Sequence, residues 1–385
     1  MTLVNININE RRAIRRDASP LTYIVVTPKT ETPPGGGANV TIAAADGELT
    51  EITPSNTDAT IGNGFARAAY NYVNADATSR YYVLPFVVDV NDAVGDRLTK
   101  VIAAIDSAMG NSVERAKLPN GEFDIVVVSR ESGLGTTDGA NPVLTALEIY
   151  LERYRARAIV DAGPYASDPN DATPSNTAVV GWEANNVNHR VMSITNRGDI
   201  VGYTNMWGSV IVAGHVSRVW ASKGLGAHVA TLRDPVLGAD NFRPDRSFDP
   251  DVATDTARTL ANSPNYMTSL INWNGASYLW GGKTQQASEN SPIAWFNRQV
   301  IIDRMAKQTK RDLLPFIVDT ATPRLLSSIQ LTVQNDLTAT YVATGLVTGV
   351  TVLDVTLSGE TATVIVEVQF GTTIERFTFV IDVFE

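Results

Sequence analysis

Residues 262–311 read NSPNYMTSLINWNGASYLWGGKTQQASENSPIAWFNRQVIIDRMAKQTKR, and this stretch decides the fold predicted for the chain. Apolar residues alternate with polar ones before Asn274 and Gly275, and the chain returns through Tyr278 and Trp280. Asparagine and glycine both tolerate the positive φ angles of a two-residue hairpin turn. The pattern therefore predicts a β-hairpin around the Asn-Gly pair.

A long helix is predicted after the hairpin. Gly281 and Gly282 interrupt the second strand, and a polar loop runs to Ser291. Serine is a favoured N-cap residue, and Pro292 fits the first helical position, where its missing N–H costs nothing. We therefore expect a helix over residues 293–311.

The hairpin, its Trp-Gly exit and a helix opening on Trp-Phe-Asn-Arg resemble the C-terminal core of contractile tail sheath proteins. The comparable sequence motifs in that family are a "dGyrlWGnRT" strand and a "W-x-F-x-x-x-R-R" helix start. The chain departs from them in having lysine at position 283, a second glycine after the tryptophan and a longer loop before the helix. The matching residues are Tyr278, Trp280, Gly281, Lys283, Thr284, Trp295 and Arg298.

The composition indicates a globular protein of two or three domains. The chain has 385 residues, 44% of them hydrophobic and 19% charged, and it lacks cysteine. The missing cysteine excludes disulfide scaffolds, thiol catalysis and Cys-ligated zinc. The net charge of −10 argues against a nucleic-acid partner. No apolar run has the length of a membrane span or the character of a signal peptide, so we expect assembly in the cytoplasm without membrane insertion.

Strands and helices are expected to alternate before the hairpin, which predicts an α/β layer with a mixed sheet. The resemblance to sheath proteins extends to this region, because Ser209, Ala213 and Gly214 fit the spacing of a family helix, "S-x-x-x-A-G-x-x-A". The expected strands are 21–26, 81–90, 123–129, 158–160, 177–181 and 191–194, and the expected helices are 98–109, 142–157 and 207–220.

Both ends of the chain read as apolar strands. An unpaired strand is unstable, so each either folds back on its own domain or adds to the sheet of a neighbouring subunit. The apolar residues concerned are Val4, Ile6 and Ile8 at one end and Phe377, Phe379, Ile381 and Val383 at the other. The predicted fold class is α/β plus α+β, divided into an N-terminal arm (1–20), an outer α/β domain (21–260), a C-terminal α+β domain (261–372) and a C-terminal arm strand (373–385).

One basic stripe interrupts the acidic chain. Arg304, Lys307 and Arg311 are three and four residues apart, so they lie on one side of the predicted helix. Cations near a helix C-terminus are common on solvated faces. The alternative interpretation is a surface that steers an acidic partner, which in a sheath would be the inner tube.

Motifs for catalysis are incomplete. Gly281-Gly282-Lys283-Thr284 ends like a phosphate-binding loop, but Ser277 stands where the first glycine is required. The three histidines have no zinc spacing, and the acidic loop at 245–255 lacks the glycine and terminal glutamate of an EF-hand. We therefore expect no enzyme activity, no cofactor and no metal.

The resemblance implies a structural subunit of a contractile tail sheath in a bacteriophage or a related injection machine. Such subunits form stacked hexameric rings around a tail tube, with the C-terminal domain facing the tube, and they contract from a metastable extended state. The implied partners are other copies of the chain, the tube protein, and the baseplate and terminator proteins, all within the virion tail. The alternative is another self-assembling tail or capsid component.

Overall fold

The computed structural model describes residues 20–31, 40–56, 65–73, 79–89, 92–135, 140–164, 175–186, 188–262, 264–284, 295–316, 322–358, 361–371 and 373–382. These residues form two compact units. The larger unit comprises described residues 20–221 and 226–307, and the smaller unit comprises 222–225 and the described residues from 308 onward. The hairpin and most of the helix after it therefore belong to the larger unit, whereas the predicted division lay between residues 260 and 261.

A six-stranded mixed sheet forms the centre of the larger unit, in the order β4 (Thr50–Ile52), β5 (Ser79–Phe86), β1 (Leu21–Pro28), β6 (Ile125–Val128), β7 (Arg157–Asp161) and β8 (Val191–Ile194). Only β4 is antiparallel to its neighbour. The inner strands are buried along nearly their whole length, which explains their continuous apolar sequences. The strands of this unit are β1 (Leu21–Pro28), β2 (Thr30–Glu31), β3 (Val40–Thr41), β4 (Thr50–Ile52), β5 (Ser79–Phe86), β6 (Ile125–Val128), β7 (Arg157–Asp161), β8 (Val191–Ile194), β9 (Arg197–Ile200), β10 (Tyr203–Met206), β11 (Ala239–Arg243), β12 (Ser269–Trp273) and β13 (Ala276–Trp280).

Amphipathic helices cover the sheet. Val101 and Ile105 of one helix and Leu147 and Leu151 of another are spaced by four residues and pack into the same core as Val126 of β6. Among the described residues, the α-helices are α1 (Phe65–Val73), α2 (Val94–Met109), α3 (Ser112–Arg115), α4 (Arg130–Gly133), α5 (Pro142–Arg153), α6 (Asn176–Asn185), α7 (Gly208–Lys223), α8 (Thr256–Ala261), α9 (Phe296–Leu313) and α10 (Pro323–Leu337).

One expected strand is a helix. Residues 177–181 lie in α6, because the Ser175 side chain accepts a hydrogen bond from the Ala178 N–H at 3.3 Å and caps the helix. The valine pair in this segment suggested a strand, but Val179 and Trp182 are buried three residues apart on one side of a helix. The prediction of a strand at 177–181 is therefore wrong, whereas the strand at 191–194 is confirmed as β8.

The hairpin β12-β13 is attached to the open edge of the main sheet. Ile194 of β8 forms a parallel bridge with Thr268, and the Thr268 N–H donates to the Ser193 carbonyl at 2.9 Å. The hydroxyls of Thr195 and Ser269 are 2.7 Å apart in the same buried seam. These bonds attach the hairpin, a separate two-stranded sheet, to the edge of the α/β sheet.

The smaller unit packs a helix on a three-stranded antiparallel sheet. Its strands, in spatial order, are β14 (Gly349–Ser358), β15 (Thr361–Phe370) and β16 (Thr373–Asp382). Ile329 and Val333 of α10 are fully buried, as is Val366 of β15. The Gln334 side chain donates to the Val350 carbonyl at 2.8 Å and accepts from the Val352 N–H at 2.6 Å, which fixes α10 against the outer edge of β14.

Candidate functional site

The hairpin turn has the predicted geometry. β12 and β13 pair in register, with Trp273 opposite Ala276 and Leu270 opposite Leu279. Asn274 and Gly275 both have positive φ, 49° and 77°. That combination is the type I′ turn whose twist matches the flanking strands.

The exit of the hairpin requires glycine at two successive positions. Gly281 has a φ of +112°, and a Cβ there would lie 2.7 Å from the Met267 carbonyl oxygen. Gly282 donates its N–H to Thr268 Oγ1 at 2.9 Å and accepts from the Phe296 N–H at 3.1 Å. The second glycine, an insertion relative to the family words, therefore joins the hairpin to the first turn of α9.

We call the connection between the hairpin and the first turn of α9, residues 281–284 and 295–296, the hairpin joint. Three of the motif residues, Lys283, Thr284 and Trp295, lie in it. Lys283 forms an antiparallel bridge with Trp295, and its Nζ lies 5.1 Å from the centre of the Trp295 ring and 5.6 Å from that of Tyr266. Thr284 is fully buried and accepts a hydrogen bond from Gln299 Nε2 at 2.8 Å. The contacts of Lys283 with Trp295 and Tyr266 are cation–π interactions, which stabilise this part of the structure.

The remaining aromatic residues of the hairpin pack together. Phe248 lies 4.5 Å from Trp280, measured between ring centres, and 6.5 Å from Trp273. Trp273 in turn lies 6.1 Å from Tyr278. Packing accounts for these motif residues without a bound ligand.

His228 contacts the same joint from the loop after α7. Its ring lies 4.3 Å from that of Trp295, edge to face. Burial, with the nearby Arg298 and Lys283 cations, lowers the pKa of His228 to about 4. The imidazole is therefore neutral near pH 7, and protonation would place a third positive charge in this cluster.

The basic stripe of α9 is only partly available to a partner. Lys307 is buried and donates to Asp124 Oδ1 at 3.1 Å and to the Phe123 carbonyl. Arg304 reaches the other oxygen of Asp124 at 3.5 Å and the Pro20 carbonyl at 3.3 Å. An internal carboxylate therefore binds both Arg304 and Lys307, and the interpretation of the stripe as a steering surface stays a prediction. Arg311 is exposed, and its role in docking stays a prediction.

A second charged contact lies one turn earlier on α9, and here the helix supplies the carboxylate and the arginines come from the sheet side. Asp303 is buried and accepts from Arg157 Nε at the start of β7 and from Arg190 Nη1 at 3.3 Å, just before β8. Together with Asp124, which precedes β6, these residues hold α9 across the amino ends of three parallel strands. We call Asp124, Arg157, Arg190, Asp303, Arg304 and Lys307 the charged anchors.

Comparison with protein-family models and with curated proteins gives no match. Solved structures, by contrast, match over the whole chain. A chain of the anti-feeding prophage baseplate, in a six-fold symmetrised cryo-EM structure, aligns with a TM-score of 0.58 and 13% identity over 100% of this chain and 97% of that chain. The crystal structure of a sheath tail protein from Desulfitobacterium hafniense aligns with a TM-score of 0.58 and 8% identity over 98% and 99%. The chain has the fold of a contractile tail sheath protein.

A further match supports the sheath fold. A chain of the anti-feeding prophage baseplate in its contracted state aligns with a TM-score of 0.57 and 14% identity, covering 91% of this chain and 86% of that chain. Among the described residues, no helix is both long and apolar enough to cross a membrane.

The C-terminal strand of the sheath fold is paired within its own chain. β16 runs antiparallel to β15 from Thr373 opposite Phe370 to Asp382 opposite Thr361, and Phe379 is buried against the unit's own core. Residues 373–382, which include Phe377 and Ile381, thus form an outer strand of this sheet, and their pairing with a neighbouring subunit stays a prediction. Val383 lies outside the described residues, and so do Val4, Ile6 and Ile8 of the N-terminal arm.

Sequence reasoning missed a buried carboxylate at the carboxyl end of β7. Asp161 accepts hydrogen bonds from Ser209 Oγ at 2.7 Å and from the Ser209 N–H at 3.0 Å, so it caps the first turn of α7. Burial raises the pKa of Asp161 to about 7, although both bonds from Ser209 lower it. The one sequence feature that pointed to this site was Ser209, which matches the first position of the "S-x-x-x-A-G-x-x-A" helix motif.

Proposed function

We propose that the chain is a structural subunit of a contractile tail sheath. In this function it polymerises as stacked hexameric rings around a tail tube and shortens from a metastable extended state, driving the tube through a target envelope. The observation that carries the proposal is the end-to-end likeness to both a sheath tail protein and a chain of a six-fold baseplate. A baseplate chain in the contracted state matches as well.

The role is mechanical and not catalytic. The hairpin joint and the charged anchors are filled by internal contacts that stiffen the larger unit, as a force-bearing subunit needs. The energy of contraction would come from subunit contacts that improve on shortening, summed over many copies, with no bond hydrolysed.

Strand exchange between neighbours supplies the connections in this proposal. β16 is an edge strand of the smaller sheet, and within the described residues only β15 pairs with it. Its outer N–H and C=O groups are available for an added strand. Residues 3–9 of a neighbouring copy, with their alternating apolar side chains, would complete that edge. The other partners would be the tube, baseplate and terminator proteins, within the virion tail.

Negative-stain electron microscopy of the purified chain tests the proposal. We expect hollow helical cylinders, with and without a co-expressed tube protein. Closed shells or small flat rings would instead favour another self-assembling tail or capsid component. A chain that stays monomeric at all concentrations, with and without the tube protein, would contradict both.

A further inference from the structure

Three potential metal ligands converge on the surface of the larger unit, away from the hairpin joint. Glu148 and Glu152 lie one turn apart on α5, and His189 stands in the turn before β8. One ligand atom from each lies within 4.8 Å of the others. His189 Nε2 and Glu152 Oε1 are 3.9 Å apart. The two glutamates are on the same side of the helix because their spacing is four residues.

The backbone that presents His189 is held on both sides. The Arg190 N–H donates to Asn188 Oδ1 at 2.8 Å, and Asn188 is buried. Arg157 Nη1 donates to the His189 carbonyl at 2.9 Å. Both arginines are also bound by Asp303, so the charged anchors fix the position of the turn. A histidine held in this way needs only side-chain rotation to meet the two carboxylates.

The local charge is suited to a cation. Arg157 and Arg190, the arginines that hold this turn, share the buried carboxylate of Asp303. Arg153, next to Glu152, packs over the Tyr154 ring. Glu148 and Glu152 contribute two negative charges on the solvent side. Without a cation, two carboxylates at this spacing repel each other, and a divalent ion would remove that cost.

We propose that Glu148, Glu152 and His189 form a binding site for a divalent transition-metal ion of the Zn²⁺ class. One imidazole nitrogen and two carboxylate oxygens are a ligand set that Zn²⁺ accepts at about 2.0–2.2 Å, with water completing the coordination. Mg²⁺ and Ca²⁺ prefer all-oxygen sites, so the histidine selects against them. The bound ion would cross-link α5 to the turn before β8, stiffening one side of the sheet.

Zn²⁺ titration of the untagged full chain, stripped with chelator, tests the site. We expect one ion per chain by isothermal titration calorimetry and a melting temperature raised by a few degrees with Zn²⁺ in excess. Co²⁺ serves as a visible probe, because its visible absorption reports low-coordinate binding to protein ligands. Mg²⁺ at the same concentration is expected to leave the melting temperature unchanged.

Substitutions decide whether these three residues are the ligands. His189→Asn, Glu148→Gln and Glu152→Gln should each weaken Zn²⁺ binding at least ~10-fold, by analogy with losses at supporting residues of metal sites. All three side chains are at least partly exposed, so the metal-free variants should melt close to wild type. Asp96→Asn, at an exposed carboxylate in the first turn of α2, is the matched control and should bind normally. Absence of Zn²⁺ binding, or binding unchanged by His189→Asn, would overturn the proposal.

Discussion

Lys307 and Asp124 form a buried ion pair, 3.1 Å between Nζ and Oδ1, that joins the middle of α9 to the residue before β6. Burial alone would raise the pKa of Asp124, but Lys307 and Arg304 outweigh it and hold that pKa well below its usual range. The carboxylate is therefore charged at all pH values at which the protein is handled. Helix and sheet are tied by charges that face inward.

Removing the lysine should be costly for stability. Lys307→Met leaves the buried Asp124 with Arg304 and the Thr22 N–H as its described partners, and losing one partner of a buried pair typically costs about 3–5 kcal/mol. Urea denaturation followed by circular dichroism measures this change. Arg311→Ala on the exposed part of the same helix is the control, with an expected change below ~0.5 kcal/mol. Equal effects of the two substitutions would contradict the assignment of Lys307 as an anchor.

Acid should weaken the hairpin joint through His228. Its pKa is about 4 when folded and near 6.5 when unfolded, so between these values the unfolded chain binds a proton that the folded chain excludes. The contribution of His228 to stability is complete above pH 6.5 and is lost as the pH falls toward 4. Allowing for partial exposure, the loss is about 2 kcal/mol.

The measurement compares wild type with His228→Gln by urea denaturation at pH 7 and pH 4.5. Glutamine keeps a polar side chain in the loop but takes up no proton in this range. We expect the free energy of unfolding of wild type to fall relative to that of the variant on acidification. Parallel changes in the two proteins would show that His228 titrates normally.

Asp161 should lower the stability of the fold as the pH rises, the opposite of the pH dependence expected from His228. Its folded pKa of about 7 lies above the usual value of 3.8, so between pH 4 and 7 the folded chain binds the extra proton. Its contribution is complete below pH 4 and is lost as the pH rises through 7, by about 4 kcal/mol in all. Asp161→Asn removes this dependence while the amide oxygen still accepts from the Ser209 N–H. Denaturation at pH 5 and pH 8 should therefore favour the variant at the higher pH, and a constant difference would refute the assignment.

Gly281 should not tolerate a side chain. Alanine at its φ of +112° is strained, and the new Cβ would meet the Met267 carbonyl at 2.7 Å. We expect Gly281→Ala to destabilise the protein by about 3 kcal/mol. Gly275→Ala is the matched control, since φ is +77° but nothing lies within 4 Å of the added Cβ, and its cost should be about 1 kcal/mol. Thermal denaturation of the two variants separates a backbone clash from conformational strain.

Deleting residues 1–16 tests strand exchange. We expect a folded, soluble chain with wild-type secondary structure that fails to form cylinders, because the edge of β16 on each neighbour is left incomplete. Circular dichroism and negative-stain microscopy supply the two readouts. Normal cylinders from the truncated chain would refute the arm, whereas loss of folding would show that the segment belongs to its own domain.

Elements with local signals were predicted well. The turn at Asn274 and Gly275 follows from the φ preferences of two adjacent residues, and β5 and β6 follow from apolar runs that fit strands buried on both faces. Residues 177–181 failed because two adjacent valines fit a strand and a buried helix equally. The N-cap hydrogen bond of Ser175 favours the helix over the strand. The burial of Val179 and Trp182 in the core then stabilises that helix.

The sequence by itself determined the hairpin, the long helix and the alternation of strands and helices, since these depend on preferences within a few residues. Only the tertiary structure decided which charges face inward. Lys307 and Asp124 are 183 positions apart, and no local pattern distinguishes a lysine on a solvated face from one that reaches a buried carboxylate. The same holds for β16, whose pairing with β15 depends on hydrogen bonds between strands and not on the apolar residues within it.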